Sequence, residues 1–198
     1  MIENLIVLLL TALPLMGSPG PATLSSAAVG SAYGAARGVP YVAGICAGTT
    51  TVLLIVATGV TGVVFAVPGA LPVITVAAAA YILYLAWKIA TAPPLASRGE
   101  AGKAPSFIPG YLLAIANPKA YAAIGAVFSS VTVIETDLTT DAVVKFVALS
   151  ILVVIINNTW MLFGAAFARY LSSPRLGRAI NITFAVLLVV SVVAAVLG

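Results

Sequence analysis

Two triplets, Pro19-Gly20-Pro21 and Asn117-Pro118-Lys119, are where this chain could do chemistry. Each interrupts a long apolar run. Proline removes a backbone donor and glycine adds backbone freedom, so a helix crossing either triplet should break. A broken helix frees N–H groups at the start of its second arm, where the positive end of the peptide dipole lies, and carbonyls at the end of its first. The N–H end attracts a carboxylate, and the carbonyl end can take a cation or an ammonium. Ser18 is placed to cap the first break, with Ser25 and Ser26 placed to line a cavity.

Lys119 is the most telling single residue. It follows Pro118 directly and has apolar sequence on both sides. A lysine at such depth costs at least ~2.5–3.5 kcal/mol, so it needs a partner or a water-filled cavity. Its candidate partners are a substrate carboxylate or the carbonyls freed near Pro118. The competing reading is a side chain that snorkels to the cytoplasmic face. Asn117 suits the cap of the arm that starts there. Asn157 and Asn158 form a second polar point, either as glue between helices or as lining of the same cavity, whereas Thr49, Thr50 and Thr51 read as glue. The candidate binding set is therefore Ser18, Pro19, Gly20, Pro21, Asn117, Pro118, Lys119, Asn157 and Asn158.

The elements that must position these residues follow from composition. Of 198 residues, 62% are hydrophobic and only 7% charged, with a mean hydropathy of +1.20. A soluble domain carries roughly 25% charged residues. This chain cannot present a wettable surface, so it is expected to lie in a bilayer. Its length allows about six spans of ~20 residues. They read as about 2–36, 38–66, 70–91, 106–134, 142–170 and 179–197, the first and fourth interrupted by the two triplets. Polar and apolar residues do not alternate as a membrane barrel requires, so the expected fold is all-α.

Composition also excludes chemistry. There is no histidine and only one cysteine, Cys46. That argues against a metal site, a paired-thiol relay and a catalytic constellation, so neither cofactor nor metal is expected and the chain is not read as an enzyme. The net charge of +4 comes from basic residues standing singly at loop edges, which is no footprint for nucleic acid.

Loop charge gives an orientation. Arg37 follows the first span, Lys88, Arg98 and Lys103 surround the third connection, and Arg169, Arg175 and Arg178 surround the fifth. The fourth connection instead carries Glu135, Asp137 and Asp141, with Lys145 just inside the next span, and no acid is expected inside any span. Both termini are thus expected outside. Tyr81, Tyr84 and Lys88, beside Trp87, read as an interfacial belt. Gly30, Gly34 and Gly38, like Gly44 and Gly48, are spaced four apart as small-residue ridges for close helix packing, within the fold or in a dimer.

Pro19 and Pro118 lie 99 residues apart, half the chain. Three spans per half is an odd number, so the halves would insert with opposite topology. The expected architecture is one transmembrane domain over 1–198: repeat one at about 1–91, a loop at about 92–105 and repeat two at about 106–198. Paired interrupted spans in inverted repeats point to a transporter's binding site. A lone proline would more often be a simple kink; a matched pair of breaks is harder to read that way.

The residues that carry these readings also resemble a known family. "GSPGPATL" (17–24), "ARGVPYVAGICAG" (36–48), "AAYILYLAWKI" (79–89) and "FIPGYLLAIANPKAYAAIGAVFSSV" (107–131) look like the corresponding segments of the LysE/RhtB amino-acid exporters, in order along the chain. The resemblance implies a six-helix inner-membrane exporter of amino acids or related small zwitterions, driven by an ion gradient and acting as a homodimer in the lipid bilayer. Pro19, Gly20, Pro21, Asn117, Pro118 and Lys119 match its motifs. Where some members have a charged residue or histidine early in the second span this chain reads "GTTTVL", and where many have Pro-Gln-Phe after the fourth it reads "FSSVTV". Export of another small metabolite, lipid or cation, or a scaffold role without transport, stay open as alternatives.

Overall fold

The computed structural model describes residues 1–59, 76, 80, 82–87, 89–91, 103–170 and 174–197. Its helices are α1 (Ile2–Gly17), α2 (Pro21–Tyr33), α3 (Ala35–Ala57), α4 (Phe107–Ile115), α5 (Pro118–Ser130), α6 (Leu138–Tyr170) and α7 (Pro174–Leu197). Residues 82–87 and 89–90 are helical too, and no strand occurs among the described residues. Half of the third apolar stretch, with Tyr81 and Lys88, lies outside them, as does Arg98 in the connection that follows. Of the aromatic belt, Tyr84 and Trp87 are described; both are exposed, with ring centroids 6.3 Å apart.

Both expected breaks are present. α1 and α2 meet at 65°, and α4 and α5 at 59°. Pro21 and Pro118 each open a second arm, where the missing N–H would have had no intrahelical partner and the fixed φ suits the first turn. Among the described residues two helices, α3 and α6 over Leu138–Ala168, are long and apolar enough to cross a membrane, and each bent pair passes the same test when taken as one span. Side chains such as Leu10, Ile151, Phe163 and Val186 point outward, which suits lipid.

Three boundaries differ from expectation, each for a local reason. No loop separates the first two spans: Gly34 alone, at φ 80°, turns α2 into α3, a backbone conformation that favours glycine. Gly34 is therefore a hinge residue and not part of a packing ridge, and Arg37 sits in the first turn of α3. α6 begins at Leu138 and not near 142. Asp137 supplies its cap, accepting from Thr139 N at 2.9 Å and from the Thr140 hydroxyl. Asp141 consequently lies inside a span, contrary to expectation, and is buried. Its charge is met by Lys145 Nζ at 2.7 Å, one turn on, while Val133 N and Ile134 N donate to its other oxygen. α7 likewise starts early, with Pro174 in its first turn.

α2 is the central helix: every residue of it but Ala22 is buried. It packs most extensively on α6, and α3 does so on α4. Paired glycines permit both approaches. A Cβ on Gly30 would overlap the Met161 carbonyl, and one on Gly164 the Ala27 carbonyl. Across α3 and α4, Gly44 faces the Phe107 carbonyl and Gly110 the Tyr41 carbonyl in the same way, and a Cβ on Gly48 would lie 2.6 Å from Tyr111 O. The ridges of Gly30 with Gly38 and of Gly44 with Gly48 thus serve contacts within this chain. Polar rivets complete the packing of α2: Ser26 Oγ donates to Asn157 Oδ1 at 3.3 Å and Ser31 Oγ to Asn181 Oδ1 at 3.1 Å.

Candidate functional site

The first break is built from α1 carbonyls that have lost their helical partners. Ser18 ends α1, its N–H still reaching Pro14 O at 3.2 Å and its hydroxyl donating to Leu15 O at 3.1 Å. It closes the first arm and does not cap the second. That cap comes from Thr23, whose hydroxyl accepts from Gly20 N at 3.0 Å, one half of a capping box. The same hydroxyl lies 3.2 Å from Ser18 O as a donor. Trp160 of α6 donates through Nε1 to Gly17 O at 3.0 Å.

Lys119 completes the set. Its Nζ donates to Ser18 O at 2.7 Å, Ser18 Oγ at 2.8 Å and Pro19 O at 3.1 Å. The carbonyls it ties down belong to the other break, 101 residues earlier in the chain, and not to the neighbourhood of Pro118. Gly20 is needed for this contact. Its backbone is extended, a shape any residue adopts, but a Cβ there would lie 2.7 Å from Lys119 Cδ and 2.9 Å from Nζ. Side chains of α2, α5 and α6 thereby satisfy the carbonyls of Gly17, Ser18 and Pro19, as backbone within a bilayer demands.

At the second break, Asn117 takes the cap position of α5, yet its side chain makes no cap bond there. It is buried, at 4% exposure, and its Oδ1 has no hydrogen-bond partner among the described residues. An amide oxygen left that way costs stability unless something donates to it.

Both breaks open onto one cavity. Gly20, Thr23, Thr49, Asn117, Lys119 and Asn157 supply its polar wall, and Leu15, Ile124, Val153 and Ile156 its apolar wall. The centre of a water molecule can range over about 40 Å³ of it, room for a few waters. Asn157 lines the cavity and also bonds between helices, its Oδ1 accepting from Ser26 Oγ of α2 at 3.3 Å. Asn158 is not in the lining; its Nδ2 bonds Val154 O at 2.8 Å. Ser25 and Ser26 are fully buried, their hydroxyls turned back to Ala22 O, and neither lines the cavity. Pro19, Pro21 and Pro118 shape the breaks without lining it.

Sequence reasoning passed over Thr23 and Trp160, and it read Thr49, which lines the cavity, as glue. Thr23 stands three residues after Gly20, the spacing of a capping box, and that signal was readable. Nothing local marks Trp160. No group of three or more metal-ligating side chains occurs among the described residues, and Cys46 is a buried free thiol.

A family profile, LysE type translocator, matches residues 13–198. Cysteine/O-acetylserine efflux proteins of Escherichia coli (strain K12) and Shigella sonnei (strain Ss046) are each 31% identical to this chain over 182 residues, 87% of both chains. No solved structure matches. With both breaks and the cavity between them now located, the chain belongs to the LysE type translocators, and it is a multi-pass membrane transporter and not an enzyme.

Proposed function

We propose that this protein is a secondary exporter of amino acids or closely related small zwitterions across the inner membrane. One observation carries the reading: two helix breaks from opposite halves of the chain meet at a single cavity and are joined there by Lys119. A zwitterion needs both kinds of group that such a meeting offers, carbonyls for its ammonium and a cation or helix N-terminus for its carboxylate. The efflux relatives move cargo of that chemistry by name.

Alternating access supplies the cycle. The halves are two inverted three-helix repeats within one domain, with both termini outside. The repeat pairs α1 with α4, α2 with α5 and α3 with α6. The glycine contacts of α2 with α6 and α3 with α4 then fall in the cytoplasmic half of the bilayer. Their counterparts under the repeat, α5 with α3 and α6 with α1, touch less. Such unequal packing supports an arrangement sealed toward the cytoplasm. The few waters' worth of space means that the cavity must widen to admit cargo.

Efflux from preloaded proteoliposomes tests this, with cysteine, O-acetylserine and a panel of other amino acids, with and without a pH gradient. At least one amino acid should leave faster than from empty vesicles; none doing so would sink the assignment. Tags on the two termini should be reachable from outside the cell, and access only from the cytoplasm would refute the orientation.

A further inference from the structure

The Lys119 ammonium is housed as a bound ligand would be. It has three donors and three acceptors, Ser18 O, Ser18 Oγ and Pro19 O, at 2.7, 2.8 and 3.1 Å. The cage stands at the C-terminal end of α1, the negative end of its dipole, where a cation is favoured. Thr23 and Trp160 brace it from α2 and α6. The lysine itself belongs to the first turn of α5, the positive end of that helix, where a cation is disfavoured. Its stem crosses Gly20 to deliver the charge elsewhere. Lys119 and the buried Asn117 share the cavity wall, which Ser18 and Pro19 themselves do not line, and Asn117 Oδ1 is an acceptor with no donor among the described residues.

We propose that the Ser18–Pro19 cage is the ammonium subsite for cargo and that Lys119 is its tethered occupant. The cargo's ammonium and the lysine's alternate in the cage; the displaced lysine meets the cargo's carboxylate and offers a donor to Asn117 Oδ1. This rests on the zwitterion-export reading and states how the zwitterion is recognised. The exchange keeps charge balanced throughout. One ammonium replaces another on the carbonyls, and the released lysine is neutralised by the carboxylate that arrives with it, so no bare charge is left in an apolar site. It also sets a requirement: a molecule without an amino group has nothing to put in the cage.

The test is chemical rescue in the full-length protein. Lys119→Ala empties the cage and should lower the melting temperature by roughly 5 °C. Ethylammonium should restore at least half of that loss, whereas tetramethylammonium, a cation with no N–H, should restore none. Equal effects of the two cations, or no effect of either, would overturn the proposal. Should Lys119→Ala not fold, Ser18→Ala supplies a second measurement, since it deletes one acceptor and keeps the backbone. Its binding of cysteine should weaken on the order of tenfold, with binding of 3-mercaptopropionate, the same molecule lacking its amine, unchanged; equal weakening of both, or of neither, also overturns it. Rescue by ethylammonium in a protein that moves no amino acid would fault the export reading and keep the cage. Efflux by the unmodified protein without rescue would do the reverse.

Discussion

Gly164 of α6 and Ala27 of α2 are in backbone contact: any Cβ on Gly164 would overlap the Ala27 carbonyl oxygen. About one turn along the same seam, Gly30 stands in that relation to the Met161 carbonyl. A backbone carbonyl cannot swing aside as a side chain can, so Gly164→Ala must push α2 and α6 apart. We expect a loss of about 1–3 kcal/mol or more, read as a lower melting temperature. Gly125→Ala is the control. Nothing lies within 4 Å of a Cβ there, and exchanging a mid-helix glycine for alanine should be neutral or stabilising by up to ~1 kcal/mol.

Gly20→Ala tests a different coupling. The extended backbone at Gly20 suits alanine, so the effect should come entirely from pushing Lys119 off its acceptors. Efflux should fall by at least tenfold, about 1.4 kcal/mol in the barrier. In a Lys119→Ala background the same change should add almost nothing, a non-additivity that a double-mutant cycle measures directly. Additive losses would show that Gly20 acts on something other than the lysine.

The buried pair of Asp141 and Lys145 ties the turn before α6 to the end of α5. Asp141 accepts from Val133 N and Ile134 N, and Lys145 Nζ donates to Phe128 O at 3.1 Å. Asp141→Ala strands a buried ammonium and two backbone donors and should cost about 3–5 kcal/mol. Removing both partners together should cost less than the sum of the two single losses. Unfolding of the four proteins checks this.

Asp137 gives a pH signature. The Thr140 hydroxyl, followed by Thr139 N–H, holds its carboxyl below its ordinary value of 3.8. A group whose folded pKa is lowered lends stability that is present above the unfolded value and is lost as pH falls through the folded one. Asp137→Ala should therefore melt below the unmodified protein near neutrality. The gap should close as pH drops from about 3.8 through the lower folded value. A gap that is constant across that range would assign the effect to packing.

Much of this molecule was legible from local chemistry. Pro19 and Pro118 break their helices because a missing N–H acts on its own turn, whatever surrounds it. The helical class followed from the lack of any alternation, and Asn157 as helix glue or cavity lining followed from an amide amid oil. Other features depend on partners far along the chain. Lys119 demanded a partner by its cost, yet that partner, Ser18, is 101 residues away, and no spacing rule connects them. The start of α6 was misread because Asp137 and Asp141 look like loop residues until one is seen as a cap and the other as the mate of Lys145. Ser25 and Ser26 were placed in the cavity by proximity to the break, whereas α2 is surrounded by protein and turns them into its packing.

The indole of Trp160 has an optical consequence. The chain has two tryptophans: Trp87 is largely exposed on the outer surface, and Trp160 donates to the Gly17 carbonyl at the first break. With Trp87 replaced by phenylalanine, ultraviolet emission would report from one place, next to the cage that holds the lysine. Any rearrangement of that break should then appear as a change in colour or brightness, without a dye, in the purified protein in a lipid bilayer.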